Sequence, residues 1–184
     1  MPAERMPEPW HSFVAEIDRA TAVPLELHCI GGFAVSVHYG LERPTGDIDV
    51  VEVRPNDAKI WLVQMAGEGS ALHRKHRVFL QVVTVVSIPE DYGSRLTEIF
   101  PKHFDGLRLF IPDPYDLALS KLTRNIDVDV EDVKHLARSQ NLDLDLLHAR
   151  YKSELRPIVV GPPERHDLTL RLWIAAIREE RAGL

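Results

Sequence analysis

The sequence has little of several features that mark particular classes of protein. Its only cysteine, Cys29, excludes an intramolecular disulfide framework and fits a reducing, cytoplasmic location. The most apolar stretch, Val78 to Ile88, is interrupted by polar residues and is too short to span a bilayer. The N-terminal segment, Met1 to Trp10, is charged and proline-rich, so we expect no secretory signal. Internal repeats and low-complexity segments are also missing.

The chain has fewer basic than acidic residues. Across 184 residues, 22 Lys and Arg face 28 Asp and Glu, which gives a net charge of −6. This balance argues against a protein that coats nucleic acid by bulk electrostatics. A local basic segment, His73 to Arg77, leaves two interpretations open: a solvated loop or a patch that faces phosphate or RNA.

The residues that are present predict a globular α/β chain. Hydrophobic residues make up 45% and charged residues 27%, both close to globular averages. Short β-branched segments alternate with helical patterns over residues 1–112, and Val78 to Ile88 is interpreted as a central strand. Residues 113–184 show further helical patterns separated by prolines. We therefore expect an α/β core at 1–112 and a helical C-terminal portion at 113–184 packed on it.

Two glycines and two aspartates suggest a chemistry. Gly31 and Gly32 follow a predicted strand and precede a helix, where the backbone can approach a phosphate closely. Asp47 and Asp49 lie two apart on a predicted strand, so both carboxylates share one face. Such a pair suits Mg²⁺, which takes one or two carboxylates plus substrate phosphates. An ordinary turn and an exposed strand face are the structural alternatives, but together the pattern indicates phosphoryl or nucleotidyl transfer.

These residues resemble a known superfamily. Ile30–Ala34 and Arg43–Val50 are similar to the signature of nucleotidyltransferases with the DNA polymerase β-like fold. The Arg-x-Thr-x-Asp-Ile-Asp form within it resembles abortive-infection-type toxins of bacterial type IV toxin–antitoxin systems and their uncharacterised relatives. Asp116–Arg124 and Asp129–Val133 look like the Lys-Leu-x-Arg helix and the Arg-Asp-x-x-Asp segment of those families. The resemblance runs from about Leu27 to Leu136 and implies a mixed sheet flanked by helices.

The resemblance also implies roles for individual residues. The implied nucleotide-binding residues are Gly31, Gly32, Arg43 and Thr45. The implied catalytic residues are Asp47, Asp49, Lys121 and Asp129, of which the first two would also hold Mg²⁺. Lys121 would approach the phosphates or the attacking group, and Asp129 with Asp132 would position it or act on the acceptor hydroxyl. Solvation of Lys121 and a favourable helix dipole at Asp129 and Asp132 are the structural alternatives.

The sequence departs from the family pattern at two places. The superfamily supplies a third carboxylate from a later strand, and Val78 to Ile88 has no acidic residue. Gln81 or Thr84 would take that place, or else Glu90 or Asp91 just beyond the strand. The downstream segment also has Val128 where an arginine usually precedes the aspartate.

The implied function is Mg²⁺-dependent transfer of a nucleotide from an NTP to a hydroxyl of a tRNA-like RNA or a protein. A toxin of this kind would have a cognate antitoxin as its partner. The alternative is a degenerate member that binds a nucleotide or a partner protein without catalysis. A structural module that forms oligomers through its C-terminal helices is a third possibility. We expect no membrane partner.

Overall fold

The computed structural model describes residues 5–183, so the first four residues of the N-terminal segment and Leu184 lie outside it. The described chain forms two compact units. The first contains residues 5–84 and Leu96–Ile111. The second contains Val85–Arg95 and the chain from Pro112 onward. No helix within residues 5–183 is both long enough and apolar enough to cross a bilayer.

The first unit is built on a five-stranded mixed sheet with the order β3-β2-β1-β5-β4. The strands are β1 (Leu25–Ile30), β2 (Asp47–Arg54), β3 (Phe79–Val82), β4 (Thr97–Ile99) and β5 (Leu107–Ile111). β1 is antiparallel to β2 and parallel to β5. β3 is parallel to β2, whereas β4 is antiparallel to β5. The sheet thus confirms the predicted mixed α/β architecture.

Amphipathic helices bury the core of this unit. The helices are α1 (Trp10–Ala20), α2 (Gly31–Phe33) with a π turn at Ala34–His38, α3 (Ala58–Ala66) and α4 (Ala71–His76). α1 presents Phe13, Val14 and Ile17 inward, as its spacing predicts, and contacts both α3 and α4. The largest side chains of the core include Phe13, Ile17, Phe33, Leu27, Ile48, Leu62, Leu80 and Leu109.

Two sequence predictions for this unit are wrong. The run Val78 to Ile88 forms a strand only over Phe79–Val82, because after Val83 donates to the Val50 carbonyl (2.8 Å) the chain leaves the sheet. An apolar run does not show where ladder pairing stops. The basic segment His73 to Arg77 is not a loop, because Ser70 caps a helix there by accepting from the His73 N–H at 3.0 Å.

The second unit is mainly helical. Its helices are α5 (Pro114–Leu119), α6 (Asp127–Ser139), α7 (Leu144–Arg150) with a π turn at Tyr151–Leu155, and α8 (Pro163–Ala182). A 3-10 turn at Glu90–Arg95 also belongs to it. Asp113 caps α5 and Pro114 occupies its first turn, the positions that these two residue types favour at the start of a helix. The core of this unit includes Leu117, Leu122, Val133, Leu136, Leu147, Tyr151, Leu155, Leu170, Trp173 and Ile177.

Candidate active site

The two aspartates of β2 share one face of the sheet. Asp47 and Asp49 are partly exposed, whereas the alternating residues Ile48 and Val50 are at most 1% exposed. This alternation follows from the period of two along a strand. We call the side that carries Asp47 and Asp49 the carboxylate face.

Gly31 brings the backbone against the carboxylate of Asp49. The end of β1 pairs with β2 so that Ile30 lies opposite Asp49. Gly31 follows at φ +73°, and a Cβ built on it would lie 2.1 Å from Asp49 Oδ2. A side chain at position 31 would therefore occupy the space of the carboxylate, in a backbone region that L-residues rarely adopt. Glycine is required here both by conformation and by space.

Gly32 makes a similar close approach on the adjoining side of the turn. A Cβ at Gly32 would lie 2.9 Å from Thr45 Oγ1 and 3.5 Å from Arg43 Nη2. The Thr45 hydroxyl in turn donates to Asp47 Oδ1 at 3.3 Å. The turn thus brings Gly31 and Gly32 together with Asp49, Thr45 and Arg43. We call this turn the glycine corner, and Thr45 links it to Asp47.

The helix after the glycines is shorter than the sequence suggests. The α-helical part covers only Gly31–Phe33 before the π turn of Ala34–His38. The glycine corner is therefore defined by the close approach of its backbone to Asp49 and by the polar side chains around it.

The neighbouring strand adds two further residues to the carboxylate face. In the parallel β2–β3 pair, Phe79 is in register with Asp47, and Gln81 with Asp49. In-register neighbours on adjacent strands point to the same side of a sheet, and Gln81 is exposed there. Of the two candidates for the third position, Gln81 lies beside Asp49, and Thr84 lies beyond the end of β3. Glu90 and Asp91 belong to the second unit.

The donors of the carboxylate face fit one divalent cation. Two carboxylates on one face, with Gly31 leaving room for the oxygen of Asp49, match the one or two carboxylates by which proteins hold Mg²⁺ beside substrate phosphates. Within residues 5–183, no group of three or more His, Cys, Asp or Glu side chains forms a metal cluster. The donor set thus fits the magnesium of a bound nucleotide better than an all-protein cage.

Cys29 lies on β1 behind this face and is fully buried. Burial, with a smaller effect of the negative charge of Asp49, raises the pKa of its thiol. The thiol is therefore un-ionised and serves as a core residue, as the sequence predicts.

Lys121, Asp129 and Asp132 come together in the second unit. Lys121 Nζ lies 2.6 Å from Asp132 Oδ2 and 3.8 Å from Asp129 Oδ1. Lys121 is 4% exposed, and neither aspartate is exposed at all. Arg124 donates two hydrogen bonds to Asp129, at 2.9 and 2.6 Å. We call Lys121, Asp129 and Asp132 the buried charge cluster; the side chain of Arg124, which pairs with Asp129, is itself exposed.

The ionisation of Asp129 is held by its partners. Burial alone would raise the pKa of its carboxyl. The hydrogen bonds from Arg124 and from the Ile126 N–H, together with the charges of Lys121 and Arg124, outweigh burial and lower that pKa. Asp129 therefore stays charged and fixes the turn that begins α6. The sequence assigns catalytic roles to Lys121 and Asp129, and those assignments stay predictions.

Sequence reasoning missed the burial of a third carboxylate and the position of one aromatic residue. Asp116, fully buried, accepts from Arg95 Nε at 2.7 Å and from Arg150 Nη1 at 3.3 Å. These partners lie 21 and 34 residues away, so no local pattern could reveal them. Phe79 was also overlooked, although its spacing of two from Gln81 was a usable signal.

A mixed sheet that carries a Gly–Gly corner against paired aspartates is the arrangement expected of a nucleotidyltransferase. Residues 13–176 match the family described as "Nucleotidyltransferase of unknown function (DUF6036)", and the chain belongs to that family. No curated protein and no solved structure matches the chain significantly. The class is thereby shown, whereas the toxin–antitoxin resemblance stays a prediction.

Proposed function

We propose that the protein transfers a nucleotide from an NTP to a hydroxyl of an RNA or a protein, with Mg²⁺ held by Asp47 and Asp49. The observation that carries this proposal is the contact of the Gly31 corner with Asp49, where a Cβ would lie 2.1 Å from the carboxylate oxygen. A bound magnesium would neutralise charge on the triphosphate. The toxin role and the cognate antitoxin belong to the same proposal by resemblance alone.

In this mechanism the protein positions the substrates, and the acceptor hydroxyl is the group that reacts. The acceptor oxygen forms a bond to the α-phosphorus, the bond from that phosphorus to the bridging oxygen breaks, and pyrophosphate leaves. Gly31 and Gly32 allow the backbone to approach the triphosphate, and Arg43 at the same corner offers positive charge. Thr45 holds Asp47 through its hydroxyl hydrogen bond. The proton of the acceptor leaves to water or to a carboxylate of the face.

Label transfer tests the proposal. The purified chain is incubated with each α-³²P-labelled NTP, Mg²⁺, and either total RNA or total protein. We expect label on one acceptor class with one NTP, and a loss of about a thousandfold in Asp49→Asn, because one of the two carboxylates that would hold Mg²⁺ beside the triphosphate loses its charge. Arg108→Gln, which alters a surface pair with Glu98, is the matched control and should keep full activity. Label transfer that persists in Asp49→Asn would contradict the assignment.

One observation favours a second function. The third position beside Asp49 is the neutral Gln81, and no third acidic or histidine ligand joins Asp47 and Asp49 within residues 5–183. This favours a member that binds a nucleotide without transferring it. Mg²⁺-dependent NTP binding, lost in Asp49→Asn and accompanied by no transfer to RNA or protein, would identify that function. Growth arrest on expression of the active chain but not of Asp49→Asn tests the toxin role.

A further inference from the structure

The start of β3 carries an aromatic ring next to the proposed site. Phe79 is in register with Asp47, and its N–H donates to the Gly46 carbonyl at 3.1 Å. Because adjacent strands lie about 4.8 Å apart, the ring and the Asp47 carboxylate are neighbours on the carboxylate face. Phe79 is partly exposed, and the ring of His73 lies with its centroid 4.9 Å away. Partly exposed aromatic rings offer a stacking surface to nucleobases.

Positive charge adjoins this ring at the end of α4. Arg74 and Arg77 are exposed, and Arg74 donates to the Gly69 carbonyl at 2.6 Å. Lys75 and His76 instead bind Glu16 of α1, at 2.5 and 2.8 Å. For the guanidinium of Arg77 the structure gives no hydrogen bond or ion pair with any residue of the described chain. Its guanidinium is therefore available to a ligand.

The backbone conformation of Arg77 determines which substitution tests its side chain. Arg77 ends α4 at φ +64°, and its N–H donates to the His73 carbonyl at 2.8 Å. Glycine is the usual residue in this left-handed position, because a Cβ there is strained. Arg77→Gly therefore removes the guanidinium and at the same time places the favoured residue at this position.

We propose that the strip formed by His73, Arg74, Arg77 and Phe79 binds the acceptor, and that the acceptor is a single-stranded polynucleotide. Bases stack on Phe79, phosphates contact Arg77 and Arg74, and the strand end that carries the reactive hydroxyl lies beside Asp47. The inference rests on the proposed function for its chemistry, but the surface itself is tested by binding alone. In a chain of net charge −6, this strip is complementary to a polyanion.

The test is fluorescence anisotropy with a labelled ten-nucleotide single-stranded RNA, titrated over a range of salt concentrations. Arg77→Gly removes the guanidinium and relieves the backbone, so we expect the variant to stay folded, and its urea unfolding curve checks this. We expect its RNA affinity to fall about tenfold and its salt slope to shrink by about 0.7, the value for one phosphate contact on a single strand. Phe79→Leu keeps the strand apolar and should weaken binding about tenfold through lost stacking.

Lys102→Glu is the matched control. Lys102 is exposed and also has φ +64°, but it lies between β4 and β5, away from β3 in the strand order. Its variant should bind RNA within twofold of the wild type, as Arg77→Glu should not. Equal losses of RNA affinity in Lys102→Glu and Arg77→Glu, or wild-type RNA affinity in Arg77→Gly, would overturn the assignment of the strip as the RNA-binding surface. Label transfer to protein without RNA binding would also overturn it and leave the proposed function standing. Failure of the proposed function is separate, because it shows as absent label transfer from every NTP, whether or not the strip binds RNA.

Discussion

Both units contain neighbouring carboxylates, but these carboxylates differ between the units in their burial and in their ion-pair partners. On the carboxylate face, Asp47 and Asp49 stand partly exposed on one side of β2. In the buried charge cluster, Asp129 and Asp132 are fully buried and lie against Lys121 and Arg124. Charges left open to solvent can meet a cation or a phosphate, whereas charges satisfied within the fold mainly hold that fold. We therefore expect ligand binding at the first group, and a stability measurement decides between a structural and a catalytic role for the second.

The largest effect that we expect comes from breaking the buried cluster. Lys121→Met leaves the carboxylate of Asp132 buried without its cation, which costs about 3–5 kcal/mol in the free energy of unfolding. Urea unfolding measures this. Asp49→Asn, on the carboxylate face, should change the free energy of unfolding by less than about 1 kcal/mol.

A compensating variant sharpens this first prediction. Lys121→Met with Asp132→Leu replaces the ion pair by apolar groups, and most of the lost stability should return. Asp129 keeps Arg124 as its partner in the double variant. Equal stability of wild type and Lys121→Met would show that Lys121 is not held for structural reasons, and the predicted catalytic role would gain support.

The next effect separates backbone strain from contact with Asp49. Gly31 and Gly40 both have φ +73°, but a Cβ at Gly40 meets nothing within 4 Å. Gly40→Ala should therefore cost only the left-handed strain of about 1 kcal/mol, and Gly31→Ala about 2–3 kcal/mol because its Cβ also displaces the carboxylate. Mg²⁺-dependent NTP binding, measured by calorimetry, should be lost in Gly31→Ala alone. Similar costs and intact binding in both variants would disconnect the glycine corner from the site.

The sequence predicts those parts that depend on local rules. The alternation of Asp47 and Asp49 with buried Ile48 and Val50 follows from strand geometry, and the structure confirms it. The start of α5 at Asp113 and Pro114 follows from capping preferences in the same way. Membership of the nucleotidyltransferase class was also correctly inferred, from the resemblance of the segments around Gly31–Gly32 and Asp47–Asp49 to that superfamily.

What the sequence misses depends on contacts between distant residues. The end of β3 at Val82 depends on where pairing with β2 stops, and the apolar run to Ile88 gives no sign of it. The burial of Asp116 depends on Arg95 and Arg150, each more than 20 residues away. The placement of Gln81 beside Asp49 required the register of two strands that are separated by two helices.

A third prediction concerns a change in the charge of the carboxylate face. Gln81→Glu places a carboxylate beside Asp49, so the affinity for Mn²⁺ without nucleotide should rise about tenfold, or about 1.4 kcal/mol. Titration followed by the EPR signal of free Mn²⁺ measures it. Thr84→Glu adds the same charge beyond the end of β3 and should raise the affinity by less than twofold. An equal gain in both variants would mean that net charge, and not the carboxylate face, binds the ion.

The smallest effect concerns acid stability and tests the buried cluster again. The pKa of Asp129 is lowered in the folded protein, so its contribution to stability is fully present above the unfolded value of about 3.9 and is lost as the pH falls below it. Asp129→Asn should therefore lose stability less steeply than wild type between pH 5 and pH 3, as followed by urea midpoints. The pKa of Asp116 is raised, first of all by burial, so Asp116→Asn should lose stability more steeply over the same range. Slopes that change in the same direction in both variants would contradict the opposite directions of the pKa shifts of Asp129 and Asp116.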